Sequence, residues 1–171
     1  EDEKRYAQDE GYKHLLCFYS DNASAMRKSI WQKIPYDDVD FAEDQLWAKK
    51  IIEAGYTKAY NSNAVVYHSH NYSFMEQLKR SYDDHKGLNK IYGYVAVKNI
   101  FKLPIHILLA IYRDMKFLKS LRKVNIYEKI KLSFYSISKN IAKFSGAYLG
   151  SKPFNKRISS FLSRETLLRN N

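Results

Sequence analysis

From residue 100 onward, apolar and basic residues interleave at helical spacing in two long runs, IFKLPIHILLAIYRDMKFLKSLRK and IYEKIKLSFYSISKNIAKFSGAYLG. Apolar side chains return every three or four positions, and lysines fill much of the remainder. A period near 3.6 suits an α-helix and no strand. Much of the chain is thereby committed to long amphipathic helices. The charge follows the same division. Residues 91–171 carry 16 Lys and Arg against 3 Asp and Glu, a net of +13, whereas residues 1–90 carry 13 against 15, a net of −2. Cationic helices rich in aromatic side chains suit an anionic membrane interface. The pattern suits helices packed on a partner, or an ordinary bundle, equally well. Nucleic acid is a poor fit, because the basic residues alternate with large aliphatics instead of forming an Arg-rich polar face. No run reaches the roughly 18 apolar residues of a membrane span. The opening EDEKRYAQDE is acidic and polar and does not read as a signal peptide.

The first half is organised differently. Residues 1–13 are polar and read as a frayed start. LLCFY (15–19) reads as a short buried strand, with Cys17, the single cysteine, as a buried small hydrophobe. With one cysteine no internal disulfide forms, which suits a reducing compartment. Ser24 is placed to cap a short helix carrying Met26, Ile30 and Ile34, closed by Pro35. A helix is expected from about Ala42 to Ala54, with Gly55 as its C-terminal cap. YTKAYN and AVVYH read as two strands around a turn at Asn61–Asn63. A further helix is expected over about 73–90. The fold expected is therefore α/β, short strands and helices over 1–92 followed by a basic helical region over 93–171. Strands built to extend a larger sheet would leave open edges, so self-association is expected as well.

Three groups could carry chemistry. Glu43 and Asp44 head the 42–54 helix. Acidic residues are favoured there by the exposed N–H groups and the helix dipole, but a carboxylate can also act as a general base toward a hydroxyl. His68 and His70 fall on one face if AVVYHSH is extended. Two imidazoles can ligate a metal, or simply end a strand. Asp38-Val39-Asp40 is a D-x-D by string, set in an acidic loop. No Gly-rich phosphate cradle and no G-x-S-x-G elbow is present.

Taken together, S-D-N-A-S-A-M-R-K-S-I-W (20–31), F-A-E-D-Q-L-W-A (41–48), A-G-Y (54–56) and A-V-V-Y-H-S-H (64–70) resemble the C-terminal half of a family 2 glycosyltransferase. The likeness is greatest to the rhamnosyltransferase-like members that build bacterial surface polysaccharides. K-F-S-G-A-Y-L-G (143–150) resembles the end of such proteins. The resemblance implies a partial fold of the GT-A type and places the catalytic base on Asp44, with Glu43 beside it. It implies that His68 ligates a divalent Mg²⁺ or Mn²⁺, with His70 as the less favoured ligand, near the diphosphate or the acceptor. Trp47 resembles an aromatic on the acceptor side, and Asn22 and Arg27 resemble a stretch beside the donor sugar. The implied partners are a nucleotide-sugar donor, a saccharide or lipid-linked acceptor and an anionic membrane at the inner face of the cytoplasmic membrane. The family's early nucleotide-binding half has no counterpart here, so a missing N-terminal half or partner chain is expected. The competing expectation is a non-catalytic membrane-surface or partner-binding module.

Overall fold

The computed structural model describes residues 3–39 and 41–165. Asp40, the second aspartate of the D-x-D string, lies outside the described residues. Among the described residues eight α-helices run in chain order: α1 (Glu3–Gln8), α2 (Glu10–Cys17), α3 (Lys28–Lys33), α4 (Glu43–Glu53), α5 (Phe74–Tyr92), α6 (Leu103–Ser120), α7 (Ile126–Gly150) and α8 (Lys156–Leu162). Short 3-10 turns stand at Asp21–Ala23 and Ile100–Lys102. The chain divides into two compact units: Glu1–Asn71 with Lys90–Tyr94, and Tyr72–Asn89 with Val95–Asn171.

No strand occurs among the described residues. The α/β expectation, and the GT-A type with it, is therefore corrected to an all-helical architecture. LLCFY does not form a strand, because Leu15, Leu16 and Cys17 complete α2 and only Phe18 and Tyr19 are non-helical. The polar start is helical because it carries its own signals. Asp9 takes the N-cap of α2, accepting the Tyr12 backbone N–H at 2.9 Å, and pairs with Arg5 one turn back. The segments YTKAYN and AVVYH are irregular, and Val65, Val66 and Tyr67 are exposed. Composition alone cannot make a strand. Its backbone groups need a neighbouring extended segment, and none pairs with these among the described residues. The expected Asn61–Asn63 turn does form, with Ala64 N–H donating to the Asn61 carbonyl at 3.2 Å.

In the first unit the core is Tyr19, Trp47, Ala48 and Ile51, with Ile30, Ile34 and Tyr36 packed against it. The α4 residues Trp47, Ala48 and Ile51 lie on one face at three- and four-residue spacing, which is why this helix is amphipathic despite its polar composition. Gly55 follows the helix at φ +85°, a left-handed conformation that glycine adopts without strain. Cys17 is fully buried, and the Tyr6 hydroxyl lies 3.5 Å from its Sγ. Segment 90–94 is fixed to α4, since Tyr92 donates to the Gln45 carbonyl at 2.9 Å and Lys49 donates to the Ile91 carbonyl at 3.0 Å.

The second unit is a helical assembly. Ser73 and Glu76 form a reciprocal capping box at the start of α5, with Ser73 N–H donating to Glu76 Oε2 at 2.9 Å and Glu76 N–H to Ser73 Oγ at 3.4 Å. The buried side of α7 is built of small residues, including Ala142, Gly146, Ala147 and Gly150. These let α7 approach α5 closely. A Cβ placed on Gly146 would fall 2.8 Å from Ser81 Cβ and 3.0 Å from Tyr82 N, and one on Gly150 would fall 3.0 Å from Lys86 N. Between α6 and α7 the contact is polar at its centre. Asp114 Oδ2 accepts from Ser136 Oγ at 2.5 Å and from Asn140 Nδ2 at 2.8 Å. On α5, Tyr82 donates to Ser159 Oγ of α8 at 2.8 Å, and the buried Asp83 accepts the Arg164 backbone N–H at 2.7 Å.

Candidate functional site

The site with the most chemistry forms where the 3-10 turn at Asp21–Ala23 meets the start of α4. Ala42 precedes the helix with φ 62° and ψ 36°, the one non-glycine residue with positive φ among those described. An alanine there costs about 1–2 kcal/mol, so tertiary packing must hold the turn. Ala42 is itself buried. The turn delivers Glu43 to solvent and Asp44 to a half-buried position. Asp44 Oδ1 accepts the Gln45 backbone N–H at 2.7 Å. Asp21 contributes a further backbone hydrogen bond to the same carboxyl.

The Asp44 carboxyl is held above its ordinary pKa. Burial is the largest cause. The Gln45 N–H works against it, and the negative charges of Asp21 and Glu43 add to it. Tyr36 donates to Asp21 Oδ1 at 2.7 Å, and its hydroxyl is pushed well above the usual tyrosine range by burial and by that bond. Three buried polar atoms in this unit, Tyr19 Oη, Asp37 Oδ2 and Gln45 Oε1, have no hydrogen-bond partner among the described residues. The Gln45 amide is otherwise engaged, its Nε2 donating to the Tyr19 carbonyl. A carboxylate made more basic by burial and by the charges of Asp21 and Glu43 can accept a proton from a hydroxyl brought to it.

The sequence-expected residues divide in three. Glu43 and Asp44 come together and gain Asp21 as a neighbour. Asn22 and Arg27 are exposed on the preceding segment, Asn22 donating to Ser20 Oγ at 3.0 Å. Trp47 is 2% exposed. Its indole N–H donates to the Ile34 carbonyl at 2.6 Å, and its ring packs against Tyr19 and Tyr36 at centroid distances of 5.4 and 5.5 Å. It lies in the core of the first unit, with almost none of its surface open to a ligand.

His68 and His70 are exposed on an irregular segment, their rings 4.4 Å apart and nearly perpendicular. Among the described residues no group of three or more His, Cys, Asp or Glu side chains converges to hold a metal ion. The pair supplies two imidazoles, and the described residues bring no third such side chain to them. Asp21 and Tyr36 join the site with no motif signal of their own that marks them for it. Asp21 stands inside the S-D-N motif, but its approach to Asp44 is created by the fold. In the second unit a separate cavity of about 160 Å³ is lined by Tyr72, Phe74, Gln77, Tyr135 and Lys139 among others.

Comparison with known proteins gives two relatives. A stretch of 68 residues is 40% identical to the O-antigen chain rhamnosyltransferase RfbN of Salmonella typhimurium strain LT2, covering 39% of this chain and 22% of that protein. A stretch of 69 residues is 36% identical to the O-antigen chain rhamnosyltransferase WbaN of Salmonella anatum, again covering 39% of this chain and 22% of the relative. The matched stretch thus spans under a quarter of either relative's length. No protein-family model matches the chain, and no solved structure matches it. A region of this chain is therefore similar to part of two O-antigen rhamnosyltransferases. No helix among the described residues is long and apolar enough to cross a membrane.

Proposed function

We propose that this chain forms the acceptor-side part of an inverting sugar transferase that extends a cell-surface saccharide, with rhamnose as the transferred sugar. The observation that carries the reading is the Asp44 carboxyl, raised by burial and by Asp21 and Glu43, in a chain with a region similar to two O-antigen rhamnosyltransferases. The chemistry asked of it is one displacement. An acceptor-sugar hydroxyl gives its proton to the Asp44 carboxylate while its oxygen bonds to the anomeric carbon of a nucleotide sugar. The bond from that carbon to the diphosphate oxygen breaks, and the nucleoside diphosphate leaves with the electron pair. Raising the basicity of Asp44 strengthens it for this task. Glu43 and Asp21 maintain that basicity through their charge, and Trp47 and Tyr36 hold the turn from below.

The test replaces Asp44 by Asn in the polypeptide that carries this chain and follows transfer from a nucleotide-activated rhamnose to a saccharide acceptor. The expected loss in kcat is about a hundredfold to ten-thousandfold, the range for a general base, with donor affinity unchanged. Asn keeps the acceptor for the Gln45 N–H, so the helix start survives the change. Turnover at the parent rate overturns the assignment. Glu43→Gln, at the exposed position, is expected to cost less than Asp44→Asn.

A further inference from the structure

The helix α6 is apolar on two opposite sides, and only one of them is used. Its inner side meets α7, with Leu118 buried, Asp114 bonded to Ser136 and Asn140, and the His106 ring stacked 5.9 Å from Phe144. On its outer side stand Ile105, Leu108, Leu109 and Tyr112, spaced as one helical stripe and all exposed, Leu108 at 64%; Phe101, 82% exposed, stands in the 3-10 turn just before the helix. The helix α7 repeats the arrangement, with Ile126, Tyr127, Ile130 and Phe134 exposed, the last at 71%. Single exposed hydrophobes are ordinary, but a stripe of this length is not.

The charges around the stripe select its occupant. Lys102, Arg113, Lys116 and Lys119 are exposed on the α6 segment, and Arg122 and Lys123 are exposed in the loop that follows. Only 3 acidic residues occur from residue 91 onward. Of these Asp114 faces inward to α7, Glu128 belongs to the first turn of α7, and Glu165 lies close to Asp83 and Arg80. The outer side of α6 thus presents apolar side chains bordered by cations, with no carboxylate among them. A second copy of this chain would bring like charges together. Nucleic acid would meet aliphatic side chains where it needs polar ones. An anionic lipid leaflet satisfies both halves of the surface, accepting the apolar stripe at the acyl boundary and the cations at the headgroups. The helix cannot cross the bilayer, so it lies in the plane of the interface.

We infer that the outer side of α6, together with the exposed start of α7, docks the chain on an anionic phospholipid surface. This surface shares no residue with the Asp44 site, and its test does not read sugar transfer. The test is flotation of the whole chain with vesicles of phosphatidylcholine alone and of phosphatidylcholine mixed with phosphatidylglycerol. The chain is expected to float with the mixed vesicles, to remain behind with the neutral ones, and to be released by high salt. Lys116→Gln with Lys119→Gln is expected to weaken binding about thirtyfold, the equivalent of two headgroup contacts. Leu108→Gln with Ile105→Gln is expected to abolish it while circular dichroism stays at the parent signal, because both side chains are exposed. Four results overturn the inference: no flotation with phosphatidylglycerol, equal flotation with both vesicles, binding unmoved by the α6 variants, or a concentration-dependent dimer that forms in place of vesicle binding.

Discussion

Replacing Gly146 by Ala tests whether α7 truly lies against the backbone of α5. In a helix interior the change alone should stabilise by about 1 kcal/mol, because alanine loses less backbone entropy than glycine. The structure predicts the opposite sign. The added Cβ would sit 2.8 Å from Ser81 Cβ and 3.0 Å from Tyr82 N, and it would overlap the Leu78 carbonyl oxygen. Carbon atoms prefer about 3.5–4.0 Å, so the helices must part locally by close to an ångström. Overpacking of this kind costs about 1–3 kcal/mol. Set against the propensity gain, the net is a loss of up to about 2 kcal/mol. In a chain of this length about 1 kcal/mol moves Tm by roughly 2–4 °C. The assay is thermal and urea unfolding of the whole chain followed by circular dichroism. Adding Gly150→Ala should cost less than its single effect, because one separation relieves both contacts. A Gly146→Ala chain more stable than the parent would refute the close approach.

Two further outcomes follow from groups already described. The raised pKa of Asp44 means that the native chain holds this proton longer than the unfolded chain does. Its contribution to stability is fully present below the unfolded carboxyl pKa and is lost as pH rises toward the folded value. Asp44→Asn should therefore match the parent in urea midpoint near pH 3 and exceed it at pH 7; a less stable variant at pH 7 would contradict the burial argument. Asp114→Ala leaves the Ser136 hydroxyl and the Asn140 amide without their shared acceptor. A loss of about 1–3 kcal/mol is expected in urea unfolding, and a neutral result would remove Asp114 from the α6–α7 contact.

The sequence was most readable where a period and a punctuating residue agreed. The α4 helix shows its Trp47–Ile51 spacing and is followed by Gly55, and α6 and α7 carry the interleaved pattern that runs to Gly150. It misled where pattern was taken without partners. AVVYH is a short apolar, β-branched run like that of a strand, yet nothing among the described residues pairs with it. The start at Glu3–Cys17 has a weak apolar pattern, and its helices depend on a local cap at Asp9 and a contact of Tyr6 with Cys17 and Glu53. For the site, the Glu43–Asp44 pair was legible as a string, but the burial of Asp44 and the approach of Asp21 are tertiary facts. Trp47 shows the same limit from the other side. An aromatic three residues beyond a carboxylate suits a ligand face or a core equally, and only packing against Tyr19 and Tyr36 decides between them.

The Asp114 contact bears on more than the energy of one helix pair. Two helices apolar on several sides can slide past each other by one turn, about 5.4 Å, and still match grease with grease. A carboxylate that needs both Ser136 and Asn140 recognises a single alignment. Such buried polar groups are known to fix register between helices. Alignment is thus encoded in three side chains, separately from the residues that look outward. Substitutions on the outward side can then alter what the surface adheres to while the pairing beneath keeps its phase.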